Sequence, residues 1–91
     1  MNIMAKFMCT HTLPAGKFCA DQLRQFAQAA QQDPLVKGYR SFANLAEGKA
    51  LCVMEAPNKD AVAAWFTKVG MPFETITKVE LEGERGSIQP A

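Results

Sequence analysis

Gly48-Lys-Ala-Leu-Cys-Val-Met-Glu-Ala-Pro-Asn-Lys-Asp-Ala-Val-Ala-Ala-Trp-Phe-Thr-Lys-Val-Gly-Met-Pro72 is the stretch whose reading decides the fold. Ala50 to Met54 is an apolar run bounded on both sides, which predicts a strand buried on both faces. Pro57 stops it, because proline has no donor for a ladder and holds Ala56 extended. Asn58 is placed as a helix N-cap, and Asp60 lies in the first turn, where the helix dipole favours an acid. Val62, Trp65, Phe66 and Val69 follow at i, i+3, i+4 and i+7, one apolar stripe. Gly70 fits the left-handed C′ position and Pro72 bars continuation. Trp65 and Phe66 therefore read as core.

Upstream, residues 3–12 alternate as a strand, with Phe7, Cys9 and His11 on one face and Met8, Thr10 and Thr12 on the other. Leu13-Pro-Ala-Gly16 is a turn. Residues 17–32 become helical, with Leu23, Phe26, Ala27 and Ala30 on one stripe, and Asp33-Pro34 ends that helix. Residues 36–45 form a second strand, with Val36, Gly38, Arg40 and Phe42 on one face and Lys37, Tyr39, Ser41 and Ala43 on the other. Ala46-Glu47-Gly48 suits a hairpin loop. Residues 73–82 are the last strand. The order is βαββαβ, which predicts an α+β, ferredoxin-like domain over residues 1–82. Its four-stranded antiparallel sheet carries both helices on one face. Residues 83–91 read as a polar tail, frayed or used as an arm.

Two helices cover one face of the sheet, yet the first and third strands carry apolar side chains on both. A second copy is the expected cover, two sheets closing face to face as a homodimeric α/β barrel. Size points the same way, since a 91-residue chain buries only roughly 60–65% of its unfolded surface.

Ten basic against nine acidic residues, with no basic stripe, leave no footprint for nucleic acid. No apolar run is long enough to span a membrane, and residues 1–6 lack the apolar core of a signal peptide. Cys9, Cys19 and Cys52, an odd number at wide spacing, predict free thiols and a cytoplasmic setting.

The residue pattern also resembles a family of small bacterial nickel-responsive or nickel-binding proteins. The resemblance rests on Lys6-Phe7-Met8 with His11, on Leu51 to Pro57 running into Asp60-Ala61-Val62, and on Gly70-Met71-Pro72 ahead of Ile76 to Val79. It covers roughly residues 4–82. It implies a subunit of a dimeric α/β barrel and nickel bound through histidine. The corresponding stretch here, Cys9-Thr10-His11-Thr12, holds a single histidine, where the metal-binding members are richer in it.

The residues themselves offer few donors. His11 is the one imidazole of the chain, a candidate metal ligand. Cys9 lies two residues earlier on the same face and Cys52 on the neighbouring strand, so Cys9, His11 and Cys52 form a candidate metal set for a borderline or soft ion such as nickel. Tyr39 and Glu55 are candidate ligand contacts, Tyr39 with its hydroxyl as a polar handle and Glu55 at the end of the third strand. His11 and Glu55 belong at opposite ends of an antiparallel pair, so no acid–base couple forms between them within one chain. No catalytic residues are assigned, since no phosphate loop, HExxH, GxSxG or CxxC motif is present. The expected function is a non-catalytic homodimer binding a small ligand or a transition metal. One alternative is a cofactor-independent monooxygenase-like enzyme of the same barrel type, which requires a cavity beneath the helices. The other is an assembly module gripping its partner with the tail.

Overall fold

The computed structural model describes residues 4–91. The elements are β1 (Ala5–Thr12), α1 (Ala20–Gln32), β2 (Lys37–Asn44), β3 (Lys49–Ala56), α2 (Lys59–Val69), β4 (Thr75–Lys78), β5 (Leu81–Glu84) and β6 (Ser87–Pro90). The first four strands in the order β2-β3-β1-β4 make one antiparallel sheet, and β5 with β6 makes a separate two-stranded one. The chain is thus α+β, with two helices over one face of a four-stranded sheet. Ile3, expected in the first strand, lies outside the described residues.

The core follows from the alternation of β1 and β3. Phe7, Cys9 and His11 of β1 are buried with their register partners Met54 and Cys52 of β3, beneath Val62, Trp65 and Phe66 of α2. Ile76 of β4 closes one flank. α2 starts where Asn58 Oδ1 accepts from the Ala61 N–H at 2.8 Å, and it ends at Gly70 with φ of 77°. Both ends are satisfied by the residues expected for them. Gly48 is required for a tighter reason. Its φ is 69°, its carbonyl accepts from the Leu13 N–H at 2.7 Å, and a Cβ there would stand 2.4 Å from the Leu13 oxygen.

Four expectations need correction. Ala50 to Met54 is not buried on both faces, because Cys52 and Met54 turn inward while Leu51 lies exposed on the open side. The four-residue alternation on β2 breaks at a bulge, because Gly38 pairs with Met54 while Arg40 pairs with Val53, leaving Tyr39 as an extra residue. An inserted residue shifts a period-2 pattern by one. Val36 and Gly38 therefore belong to the helix side, whereas Arg40 and Phe42 turn to the other. The last sheet strand is short, Thr75–Lys78 rather than 73–82. Residues 81–90 are neither frayed nor part of that sheet. They form the β5–β6 ribbon, turning at Arg85 and Gly86 with φ of 49° and 89°, the positive pair of a tight hairpin turn.

The face away from the helices stays open. Met8, Leu51 and Phe42 stand 41%, 37% and 57% exposed there, amid Thr10, Thr75 and Thr77.

Candidate functional site

His11 occupies the end of β1 opposite Ala50 and is 1% exposed. Its Nδ1–H donates to the Pro72 carbonyl at 2.7 Å, and the Phe66 ring meets it edge-on with centroids 4.8 Å apart. A carbonyl can only accept, so the proton is on Nδ1 and Nε2 carries a bare lone pair. That Nε2 is buried and has no hydrogen-bond partner. Burial pushes the imidazole below its ordinary value, opposed by the bond to Pro72 and by the nearby Glu74 carboxylate. Glu74 was missed by sequence reasoning, since it lies 63 positions away and only the β1–β4 pairing brings it in. A shallow surface pocket at this end of the sheet is bordered by His11, Thr10, Asn44, Lys49 and Glu74. Lys49 Nζ donates to Thr12 Oγ1 at 3.0 Å, and Thr12 Oγ1 donates to Glu74 Oε1 at 2.6 Å.

Cys9 and Cys52 are direct register partners, both buried. Burial pushes the Cys9 thiol up to about 12, with Cys52 adding to it. Cys52 is raised too by burial, partly offset by a hydrogen bond with Ser41. A metal takes thiolate, not thiol. Cys9, His11 and Cys52 thus face one interior, but among the described residues no three His, Cys, Asp or Glu side chains come close enough to hold a metal ion. His11 fits, with its free Nε2 and fixed tautomer; the two thiols in their protonated state do not.

Tyr39 and Glu55 are held away from His11. Glu55 pairs with Lys6 and Lys37, five register steps from Ala50, or about 17 Å along a strand. Neither lysine binds it. Lys6 Nζ donates to Glu82 at 2.7 Å and lies 4.1 Å from the centroid of the Tyr39 ring, while Lys37 Nζ donates to the carbonyls of Gln31 and Asp33.

Beneath the helices lies a cleft of about 320 Å³ between α1, β2, β3 and α2. Leu23, Phe26, Trp65, Phe66, Met54 and Met71 wall it, with Ser41 and Cys52 on its floor and Tyr39 and Arg40 on the β2 side. α1 reaches β2 where Ala30 lies against Gly38, and the small Ala27 side chain leaves the cleft open one turn earlier.

The model of nickel-responsive proteins like SCO4226 matches residues 7–79. The chain belongs to the SCO4226-like family. The crystal structure of SCO4226 from Streptomyces coelicolor A3(2) superposes with a TM-score of 0.73 at 30% identity, covering 87% of this chain and 100% of that one. No curated protein matches the chain. The part shared with the SCO4226-like family contains the sheet, both helices, His11 and Glu74, and the match stops two residues before the β5–β6 ribbon. Among the described residues no helix is long and apolar enough to cross a membrane.

Proposed function

We propose that the chain is a non-catalytic binding protein that acts as a homodimer and takes a transition-metal ion, nickel foremost, at the His11 end of the sheet. The observation that carries this reading is the buried, unpartnered Nε2 of His11. Buried polar atoms are nearly always paired, and one left bare marks a place where a partner belongs. A histidine that donates its other N–H to a backbone carbonyl has the tautomer and ring orientation of a metal ligand, and imidazole suits nickel. Glu74 is the acid whose charge acts on the ring. Burial favours the neutral ring, so protons compete weakly for Nε2 even in mildly acid solution. The family description points to the same metal.

The homodimer uses the other face of the sheet. The ferredoxin-like order of elements and the uncovered sheet face support a face-to-face barrel. Three free cysteines support a cytoplasmic, reducing setting.

Calorimetric titration of the metal-free protein with nickel chloride tests the reading. Nickel is expected to bind, and His11→Gln is expected to weaken binding by about tenfold or more, the size of one lost ligand contact. Binding equal in both proteins would make the histidine structural.

The cleft supports a second reading, an organic ligand held between helices and sheet, with Tyr39 as a contact and Trp65 as a built-in reporter. Glu55 lies on the other face and serves that reading only if the ligand reaches around the β2 edge. Quenching of Trp65 fluorescence by 1-naphthol that disappears in Ala27→Phe, which fills the cleft from α1, is the expected result. Quenching that survives the filling would locate the probe elsewhere.

A further inference from the structure

The β5–β6 ribbon is amphipathic, and it is turned the wrong way round for a monomer. Its register pairs Leu81 with Pro90 and Gly83 with Ile88, so these four share one side, while Glu82, Glu84, Ser87 and Gln89 share the other. The polar side faces home: Glu82 accepts from Lys6 Nζ at 2.7 Å, and Lys6 belongs to the open sheet face. The apolar side faces away, with Leu81 63% and Ile88 67% exposed. Ile88 packs across Gly83 so closely that a Cβ there would stand 2.7 Å from its Cδ1. The apolar strip is thus shaped, not scattered.

Two-stranded ribbons are marginal in water unless something covers a face. This one is tied to the sheet by Lys6–Glu82 and by the Val79 N–H donating to the Lys6 carbonyl, and neither contact touches its apolar side. The whole chain exposes 6220 Å² at 10.0 kDa. A folded monomer of that mass exposes about 5,200 Å², so several hundred Å² remain to be covered. A standard interface takes ~800 Å² from each partner.

We propose that the β5–β6 ribbon is an assembly arm that lays its Leu81, Ile88 and Pro90 side against a second copy of the chain, at the edge of the open face carrying Met8, Leu51 and Phe42. This rests on the homodimer of the preceding reading and adds to it a contact outside the stretch the family shares. A two-fold axis lets each subunit both give an arm and receive one.

Sedimentation velocity across a dilution series separates the two ideas. The wild-type chain is expected to be a dimer at about 10 µM, and Leu81→Glu with Ile88→Glu is expected to weaken dimerisation about thirtyfold or more with an unchanged circular dichroism spectrum. A monomeric wild type overturns dimer and arm together. A dimer unaffected by the double substitution overturns the arm and leaves the sheet-face dimer standing. Hydrogen exchange on the wild type gives a check free of any folding defect. Amides of residues 81–90 are expected to gain protection as the dimer fraction rises, and protection independent of concentration would also overturn the arm.

Discussion

The two helices lie over the same sheet and are built on the same period, yet one buries large side chains along its length and the other a single alanine near its end. α2 carries Val62, Trp65 and Phe66, each 5% exposed or less, and both its ends are capped by residues suited to the task. α1 buries Ala30 alone; Leu23 and Phe26 are half-buried, and its N-cap is Cys19, a weak acceptor. The difference teaches that periodicity places a helix, whereas side-chain volume sets how tightly it docks. Large residues at i, i+3 and i+4 bring α2 down onto β1 and β3. Ala30 lets α1 dock against Gly38 of β2 at its last turn, while Leu23 and Phe26 nearer its start stay half-buried and border the cleft.

The widest separation between the halves is expected from paired truncations. Phe66 is 1% exposed and touches His11, Trp65 and Phe73, so Phe66→Ala is expected to cost about 3–5 kcal/mol. Phe26 packs against Phe18 at 6.4 Å between centroids and borders the cleft, so Phe26→Ala is expected to cost only about 1 kcal/mol. Urea unfolding of the two variants measures both. Equal losses would break the distinction and mean that Phe26 is as tightly packed in solution as Phe66.

The legible parts of this molecule are those whose signals are local. Asn58, Gly70 and Pro72 mark their helix by chemistry that acts within four residues, and the alternation Phe7, Cys9, His11 assigns the buried face of β1 without knowledge of its partners. The bulge at Tyr39 was not legible, because nothing in Gly38-Tyr39-Arg40 distinguishes an extra residue from a paired one. The ribbon was hidden for a related reason. Arg85-Gly86 is an uncommon pair for a turn with two positive φ values, and Leu81-Glu-Gly-Glu84 has too few apolar residues to declare a strand. At the site, His11 was readable as a donor. Its fixed tautomer was not, because Pro72 and Glu74 reach it only through tertiary structure.

The helix ends offer a smaller contrast of opposite sign. Asn58→Ala removes the bond to the Ala61 N–H and is expected to cost about 1 kcal/mol. At the start of α1 only the reverse half of a capping box is strong, where Gln22 Oε1 accepts from the Cys19 N–H at 2.9 Å. Cys19→Ser supplies the missing acceptor and is expected to raise stability by about 0.5 kcal/mol. Shifts in thermal midpoint in opposite directions carry the comparison; a loss at both sites would show that Cys19 already caps its helix.

The smallest expected effect concerns what tight closure by α2 does to His11. The Phe66 ring and the surrounding core exclude water, so burial lowers the imidazole below the 6.5 of an ordinary histidine. With the folded value depressed, the unfolded chain takes up a proton near pH 6.5 that the folded chain refuses. Stability from this source is therefore complete above about pH 6.5, the ordinary histidine value, and declines as the solution is acidified. The decline levels off once the folded ring itself protonates. His11→Gln cannot take that proton, so the slope is expected to vanish in the variant between about pH 5.5 and 7, above the range where carboxylates titrate. Urea midpoints for both proteins across that window measure it. A slope common to both would assign the pH dependence to other groups and show that burial under α2 does not depress the ring.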